Sequence, residues 1–313
     1  MSLVIIAPSK NNTDFWQRRL QEELKAKGED VKVEIWPEVE NPDKVLMAVT
    51  WKHPQESLYA YPHLKVVSSM GAGVDHILKD QHLPLHWHIV RIVDEQLTRG
   101  MSNYLLAAVL NYHKQMLHFY KLQQAHRWGY SETPEIALQP GILGLGELGR
   151  DIALKLKALG FQVSGFSRTS KAIMGVNTFS GEDELESFLQ QSNLLICLLP
   201  LTQDTRNYLN LEFFRKCKKG SYLINVARGS HLVEEDLITA LDEGQLAGAT
   251  LDVFRQEPLP KEHPFWDHPK VFITPHIASV TNPDAAIPQV AENYIRMLQD
   301  KPLLNKIDRT AGY

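Results

Sequence analysis

Residues 144–149 of this 313-residue chain read Gly144-Leu145-Gly146-Glu147-Leu148-Gly149, at the end of the apolar run 141–145 and at the head of a helical stretch that closes near Gly160. This order predicts a strand, a tight turn and a helix. The first glycine permits the turn, the second lets the backbone approach a pyrophosphate, and the third lets helix and strand pack closely, while the helix N-terminus attracts the anion. All six residues are therefore assigned to a dinucleotide site, which requires a parallel βαβ unit around it.

The rest of the chain supplies that setting. Apolar runs at 3–7, 31–36, 45–51, 65–70 and 86–93 read as one series of strands, and those at 141–145, 162–167, 194–199, 221–227, 247–253 and 271–274 as a second. Between them lie helical stretches, the first capped by Asn11, Asn12 or Thr13 and stopped at Gly28. No Gly or Pro interrupts residues 101–127, so residues 96–126 are expected to form one long helix. A last helical stretch, 282–300 apart from the early Pro288, follows the second series.

Strands alternating with helices predict an α/β protein of two doubly wound parallel-sheet domains, a Rossmann cofactor domain inserted in a flavodoxin-like substrate domain. The expected boundaries are 1–100 plus 283–313 for the substrate domain and 101–282 for the dinucleotide domain. The cleft between two such domains is the default active site.

With 33 basic and 37 acidic residues the formal charge is −4, so no cationic field exists to attract nucleic acid or an anionic membrane. The chain carries no basic leader and no apolar run long enough to span a bilayer. Its two cysteines, Cys197 and Cys217, lack metal-ligand spacing, which predicts no metal site and a reducing, cytoplasmic location.

About 20 residues past the glycine loop, dinucleotide enzymes that use NAD place an acidic residue on the ribose. Here the end of the next strand reads Ser167-Arg168-Thr169-Ser170-Lys171. It offers a guanidinium, hydroxyls and an ammonium but no carboxylate, which suits a 2′-phosphate and predicts NADP(H). Ser167, Arg168, Thr169 and Lys171 are the candidates for that contact.

Three polar residues fall where strands of the second series end: Arg228, Glu257 and His276. Reduction of a 2-oxo acid needs a hydride, a proton for the carbonyl oxygen and an anchor for the carboxylate. His276 can donate the proton, with Glu257 orienting its ring and stabilising its charged form. Arg228 can hold the carboxylate or the developing oxyanion. In the first series, Gly71-Ala72-Gly73 before a helical stretch is a candidate anion nest, and Trp51 is a candidate cover for a small substrate.

These segments, together with Leu199-Pro200-Leu201-Thr202, the 225–229 stretch, Leu251-Asp252-Val253-Phe254 and Pro275-His276, resemble the D-isomer-specific 2-hydroxyacid dehydrogenases over nearly the whole chain. Residues 70–75, Ser167-Arg168-Thr169, the Trp51 region and the ending Asp308-Arg309 with Gly312-Tyr313 are most similar to the bacterial glyoxylate/hydroxypyruvate reductase A group. The resemblance implies NADPH-dependent reduction of glyoxylate to glycolate and of hydroxypyruvate to D-glycerate. It assigns Arg228 as the substrate anchor, His276 as the acid and Glu257 as its partner, and it places the amides of residues 71–73 on the carboxylate. It also implies that Asp252 faces the nicotinamide carboxamide, and it adds Leu199, Pro200, Thr205, Ala227 and Ala278 to the cofactor site.

Leu198 departs from the polar residue or His that many relatives carry there. A homodimer through the apolar 96–126 segment is expected, with Trp128 either reaching a neighbouring site or packing in the dimer. Two alternatives stay open: another D-2-hydroxyacid dehydrogenase, of phenylpyruvate or lactate type, and a cofactor-sensing binding protein without catalysis.

Overall fold

The computed structural model describes residues 1–8, 12–80, 82–130 and 135–309. Asn11 and the closing Gly312-Tyr313 lie outside the described residues. The chain divides into two units, one of Met1–Leu97 with Thr281–Tyr313 and one of Thr98–Val280.

The first unit contains β1 (Ser2–Ile6), α1 (Thr13–Ala26), β2 (Lys32–Ile35), β3 (Val45–Thr50), β4 (Val66–Ser69), α2 (Asp75–Leu78) and β5 (His88–Val90). Next come α3 (Glu95–His113), α4 (Met116–Gln124), β6 (Pro140–Leu143), α5 (Glu147–Ala158), β7 (Ser164–Ser167), β8 (Asn177–Ser180), α6 (Glu182–Gln191) and β9 (Leu194–Cys197). The second unit continues with α7 (Leu211–Lys216), β10 (Ser221–Asn225), α8 (Glu234–Asp242), β11 (Leu246–Leu251) and β12 (Val271–Ile273), and α9 (Pro283–Leu298) returns the chain to the first unit.

The first unit is a five-stranded parallel sheet of order β2-β1-β3-β4-β5, the flavodoxin-like order. Its strands are apolar at most positions because both faces are covered. Leu3, Ile5, Met47 and Val49 pack with Trp16, Leu20 and Leu24 of α1 and with Ile287, Val290, Ala291 and Tyr294 of α9. Val4, Ile6, Ala48 and Val67 face Leu58, Leu64 and Ile77 on the other side. Pro288 does not end α9. A proline inside a helix costs about 3 kcal/mol, which the burial of Ile287, Val290, Tyr294 and Met297, at about 1.5–3 kcal/mol per large apolar side chain, outweighs.

The second unit is a seven-stranded sheet of order β12-β11-β10-β9-β6-β7-β8, every pair parallel. Its order reverses between β6 and β9, a switch point where α/β proteins hold ligands at the carboxyl ends of the strands. The glycine loop follows β6 and the Leu198–Thr205 stretch follows β9, so both stand at that point.

The expected single helix over 96–126 is instead α3 and α4, broken at Gln115 in the left-handed region, φ 55°. Nothing local marks the break. α3 buries Met101, Leu105 and Val109 in the core, whereas α4 has no buried residue. His113 is pinned by a reciprocal pair, its Nδ1 2.8 Å from the Ile136 carbonyl and its own carbonyl accepting Ile136 N–H at 2.9 Å. β8 was not foreseen because Asn177–Ser180 is a half-exposed polar edge strand without an apolar run. Among the described residues no helix is long and apolar enough to cross a membrane. Among them, too, no group of three or more His, Cys, Asp or Glu could hold a metal ion.

Candidate active site

The three glycines of the loop after β6 meet three different surroundings. Gly144 has φ 104°, and a Cβ there would stand 2.8 Å from the Leu198 carbonyl oxygen, where β6 passes β9. A Cβ on Gly149 would lie 1.8 Å from the Gly144 oxygen, so α5 packs on the strand by backbone contact. A Cβ on Gly146 would meet nothing within 4 Å. The loop is thus closed on its inner side and open at Gly146, the caps of α5 make no side-chain hydrogen bond at the N-terminal end, and a pyrophosphate fits the exposed amides. Leu145 belongs to the core with Ile142 and Leu156, and its side chain lies under Gly165, so it can offer a ligand only its backbone. Glu147 is exposed and Leu148 half-buried.

At the end of β7 the Ser167 hydroxyl donates to the Thr169 carbonyl at 2.9 Å and tightens the turn. Arg168, Thr169 and Lys171 are exposed there. After β9, Leu198 packs against the core and Leu199 and Pro200 are half-buried. The Thr205 hydroxyl donates to the Pro200 carbonyl at 2.6 Å and accepts Thr202 N–H at 2.8 Å. Thr205 thus holds this turn.

His276 follows β12 with φ 57°, an uncommon backbone for a residue with a side chain. Its N–H is shared between the carbonyls of Asp252 at 2.8 Å and Thr274 at 3.1 Å. The Asp252 carboxylate, wholly buried, holds the same turn from below. Its Oδ1 accepts the Thr274 hydroxyl at 2.6 Å and Ile277 N–H at 2.8 Å, and its Oδ2 accepts Ala278 N–H at 2.8 Å. Because Thr274 gives its proton to the carboxylate, the Tyr104 phenol, 2.6 Å away, must donate to Thr274. Burial pushes the Tyr104 phenol up to about 12, so it stays a donor.

Asp252, expected to face the nicotinamide carboxamide, lies buried beneath the 274–278 turn with three donors on its carboxylate, and the amide of Ala278, expected to touch the cofactor, is one of them. A buried carboxylate is held by such donors.

His276 Nδ1 lies 2.8 Å from Glu257 Oε2, and Glu257 Oε1 accepts Phe254 N–H at 3.1 Å. The side chains are 33% and 21% exposed, so the pair reaches solvent without being bathed in it. With Nδ1–H donating to the carboxylate, Nε2 is the nitrogen left for chemistry.

Arg228 stands half-buried after β10, and its Nη1 donates to the Ala227 carbonyl at 2.7 Å. Ala227 is buried, so it too could offer a ligand only backbone. The next residue explains how this turn is located. A Cβ on Gly229 would lie 1.9 Å from the Phe254 carbonyl carbon, so the Arg228 turn rests directly on the backbone that leads to Glu257. The structure therefore brings Arg228, Glu257 and His276 onto three adjoining turns of one unit.

In the first unit the Gly71–Gly73 turn is only partly available. Ser69, buried at the end of β4, donates its hydroxyl to the Gly73 carbonyl at 2.7 Å and accepts Gly71 N–H at 3.2 Å. Gly71 N–H, expected in the nest, is engaged by Ser69. Among the described residues the Ala72 and Gly73 amides have no protein acceptor, and both residues are half-buried. Trp51 packs on this turn, its Cζ3 3.1 Å from where a Gly71 Cβ would stand, and its ring centre lies 4.8 Å from that of His76.

Ser69, Gly229, Thr274 and Tyr104 were not singled out from sequence. Only Gly229, adjacent to Arg228, carried a local signal.

Comparison with known proteins gives the chain's relatives. Residues 106–278 match the model of the D-isomer specific 2-hydroxyacid dehydrogenase, NAD binding domain. The chain is 43% identical over 272 residues to glyoxylate/hydroxypyruvate reductase A of Yersinia enterocolitica, covering 85% of this chain and 87% of that one. Among solved structures it is similar to a D-isomer specific 2-hydroxyacid dehydrogenase from Xanthobacter autotrophicus Py2 in complex with NADPH and MES, with TM-score 0.90, 36% identity and coverage of 100% and 99%. It is also similar to the NADPH-dependent glyoxylate/hydroxypyruvate reductase of Sinorhizobium meliloti in complex with NADP and sulfate, with TM-score 0.88, 36% identity and both chains covered in full.

Proposed function

The chain belongs to the D-isomer-specific 2-hydroxyacid dehydrogenase family, and from that premise we propose that it is an NADPH-dependent reductase of small 2-oxo acids, converting glyoxylate to glycolate and hydroxypyruvate to D-glycerate. The observation that carries the reading is the 2.8 Å pair of His276 Nδ1 and Glu257 Oε2 in the unit that also presents the open Gly146 turn. When bound, the dinucleotide supplies a hydride to C2 of the 2-oxo acid.

His276 Nε2 gives the carbonyl oxygen its proton, and Glu257 holds the ring in the matching tautomer and offsets the charge on the imidazolium. The Arg228 guanidinium anchors the carboxylate and stabilises charge on the oxygen being reduced. Within the first unit the Ala72 and Gly73 amides form a nest for an anionic group. Gly144, Gly146 and Gly149 receive the pyrophosphate, with the amides of Leu145, Glu147 and Leu148 and the turn at Leu199 and Pro200 beside them. Arg168 and Lys171 take the 2′-phosphate, supported by the absence of any carboxylate at the end of β7 and by relatives bound to NADPH or NADP. Asp252 acts through the His276 turn that it supports.

We also read the active form as a homodimer. Support comes from Met116, Leu117 and Tyr120 of α4, all exposed, and from Trp128 and Tyr130, exposed by 91% and 86%. Sedimentation should give twice the 35.6 kDa chain mass. A cytoplasmic location is supported by two buried cysteines that form no disulfide.

The test is loss of NADPH absorbance, and separately of NADH, with glyoxylate, hydroxypyruvate, pyruvate and phenylpyruvate at matched concentrations. Fast oxidation of NADPH with the first two is expected. Preference for phenylpyruvate or pyruvate would move the chain to another branch of the family, and NADPH binding without turnover would make it a sensor.

A further inference from the structure

His231 lies at the inner end of the Arg228 turn, wholly buried, with no part assigned above. Its Nε2 is 3.2 Å from the Pro200 carbonyl, and its Nδ1 is 3.2 Å from Arg228 N. Nδ1 also lies 3.1 Å from the Arg228 carbonyl, so this nitrogen faces both backbone groups of Arg228 while Nε2 faces the Pro200 carbonyl, which can only accept. One imidazole thus spans two catalytic turns, the one after β10 that carries Arg228 and the one after β9 that carries Leu199 and Pro200. The backbone follows the same line, with Leu209 N–H donating to the His231 carbonyl at 2.9 Å and Asn207 N–H to the Ser230 carbonyl at 2.9 Å.

We infer that His231 is a positioning residue that couples the Arg228 turn to the Pro200 turn, one ring nitrogen setting the arginine that anchors the substrate and the other setting the wall of the dinucleotide site. This inference rests on the proposed roles of Arg228 and Pro200. Histidine suits the position because it alone offers a donor and an acceptor on opposite sides of one rigid ring. A leucine of similar bulk would fill the space yet take the ring partner from the Arg228 amide and leave the Pro200 carbonyl with the Thr205 hydroxyl alone.

Two substitutions separate the halves. In His231→Asn the side-chain amide stands near the position of Nδ1 and keeps a partner for the Arg228 backbone, while Pro200 retains only the Thr205 hydroxyl. In His231→Gln the amide nitrogen stands near Nε2 and keeps the donor to Pro200, while the Arg228 backbone loses its ring partner. Loss of one such bond shifts an equilibrium by about 2- to 13-fold. We expect His231→Gln to raise KM for glyoxylate by about that factor with the Kd for NADPH, read by its fluorescence, unchanged. His231→Asn should show the reverse, and His231→Leu should lose both.

A residue that merely fills the core would not divide its effects in this way. Parallel shifts of both constants in the Gln and Asn variants, or no shift in either, overturn the inference, whether or not the Leu variant folds. If the unsubstituted protein oxidises NADPH with none of the 2-oxo acids, the activity reading fails by itself, and the coupling is read with oxalate as the substrate mimic. Loss of oxalate binding in the Gln variant and of NADPH binding in the Asn variant supports it; parallel losses overturn it.

Discussion

His276 and Glu257 are joined by a 2.8 Å contact between Nδ1 and Oε2, and the second oxygen of the same carboxylate is held at 3.1 Å by Phe254 N–H. The carboxylate is therefore fixed before it fixes the imidazole. Its partner is fixed independently, by Asp252 beneath the 274–278 turn. Acid and orienter approach each other from two separately anchored turns, which makes their distance a property of the fold.

Replacing His276 with Ala removes the proton donor and should lower kcat by about 10²- to 10⁴-fold, the usual contribution of general acid catalysis. Binding of NADPH, followed by fluorescence, should be unchanged. Glu257→Gln keeps an acceptor for Nδ1–H but loses the negative charge beside the imidazolium, so its kcat should fall by less than that of His276→Ala. Full activity in the His276 variant would remove it from the acid role.

Asp252→Asn leaves one oxygen where two now accept three donors. At least one of the Thr274, Ile277 and Ala278 donors then faces an amide NH2, at a cost of about 1–3 kcal/mol for a buried group without its partner. The variant should unfold at lower urea concentration and lose kcat as the His276 turn relaxes. If Asp252 instead acted only on the cofactor, the Kd for NADPH would rise and the stability would not change.

The loop glycines should separate folding from binding. Gly149→Ala drives a Cβ against the Gly144 carbonyl oxygen, a backbone atom that cannot swing away. Overpacking of this kind costs about 1–3 kcal/mol and here should sit at or above the upper end. Gly146→Ala has open space around it and should fold normally while weakening NADPH, because the methyl stands where the pyrophosphate must come. Urea denaturation and NADPH titration of the two variants read this contrast directly.

Arg168→Ala should weaken NADPH by about 10- to 100-fold, the worth of one charge-assisted contact of roughly 1.5–3 kcal/mol. NADH, lacking the 2′-phosphate, should be affected little. Equal losses for both dinucleotides would place Arg168 elsewhere than on that phosphate.

What the sequence by itself determined is everything written in local chemistry. Buried parallel strands need apolar runs, and a pyrophosphate turn needs glycine where a side chain would collide, so the two sheets apart from β8 and the 144–149 loop were legible from residue order, which also picked out Arg228, Glu257 and His276 as candidates. What only the tertiary structure decided depends on partners distant in the chain. The break at Gln115 carries no Gly or Pro and arises where burial ends and Ile136 returns to His113. Asp252 is a support for the 274–278 turn, and Gly71 N–H is taken by Ser69, because a buried polar group is assigned its task by whichever donors the fold brings to it. His231 gives no sign in the sequence, since the two groups it joins, Arg228 N–H and the Pro200 carbonyl, become neighbours only when β9 and β10 pair.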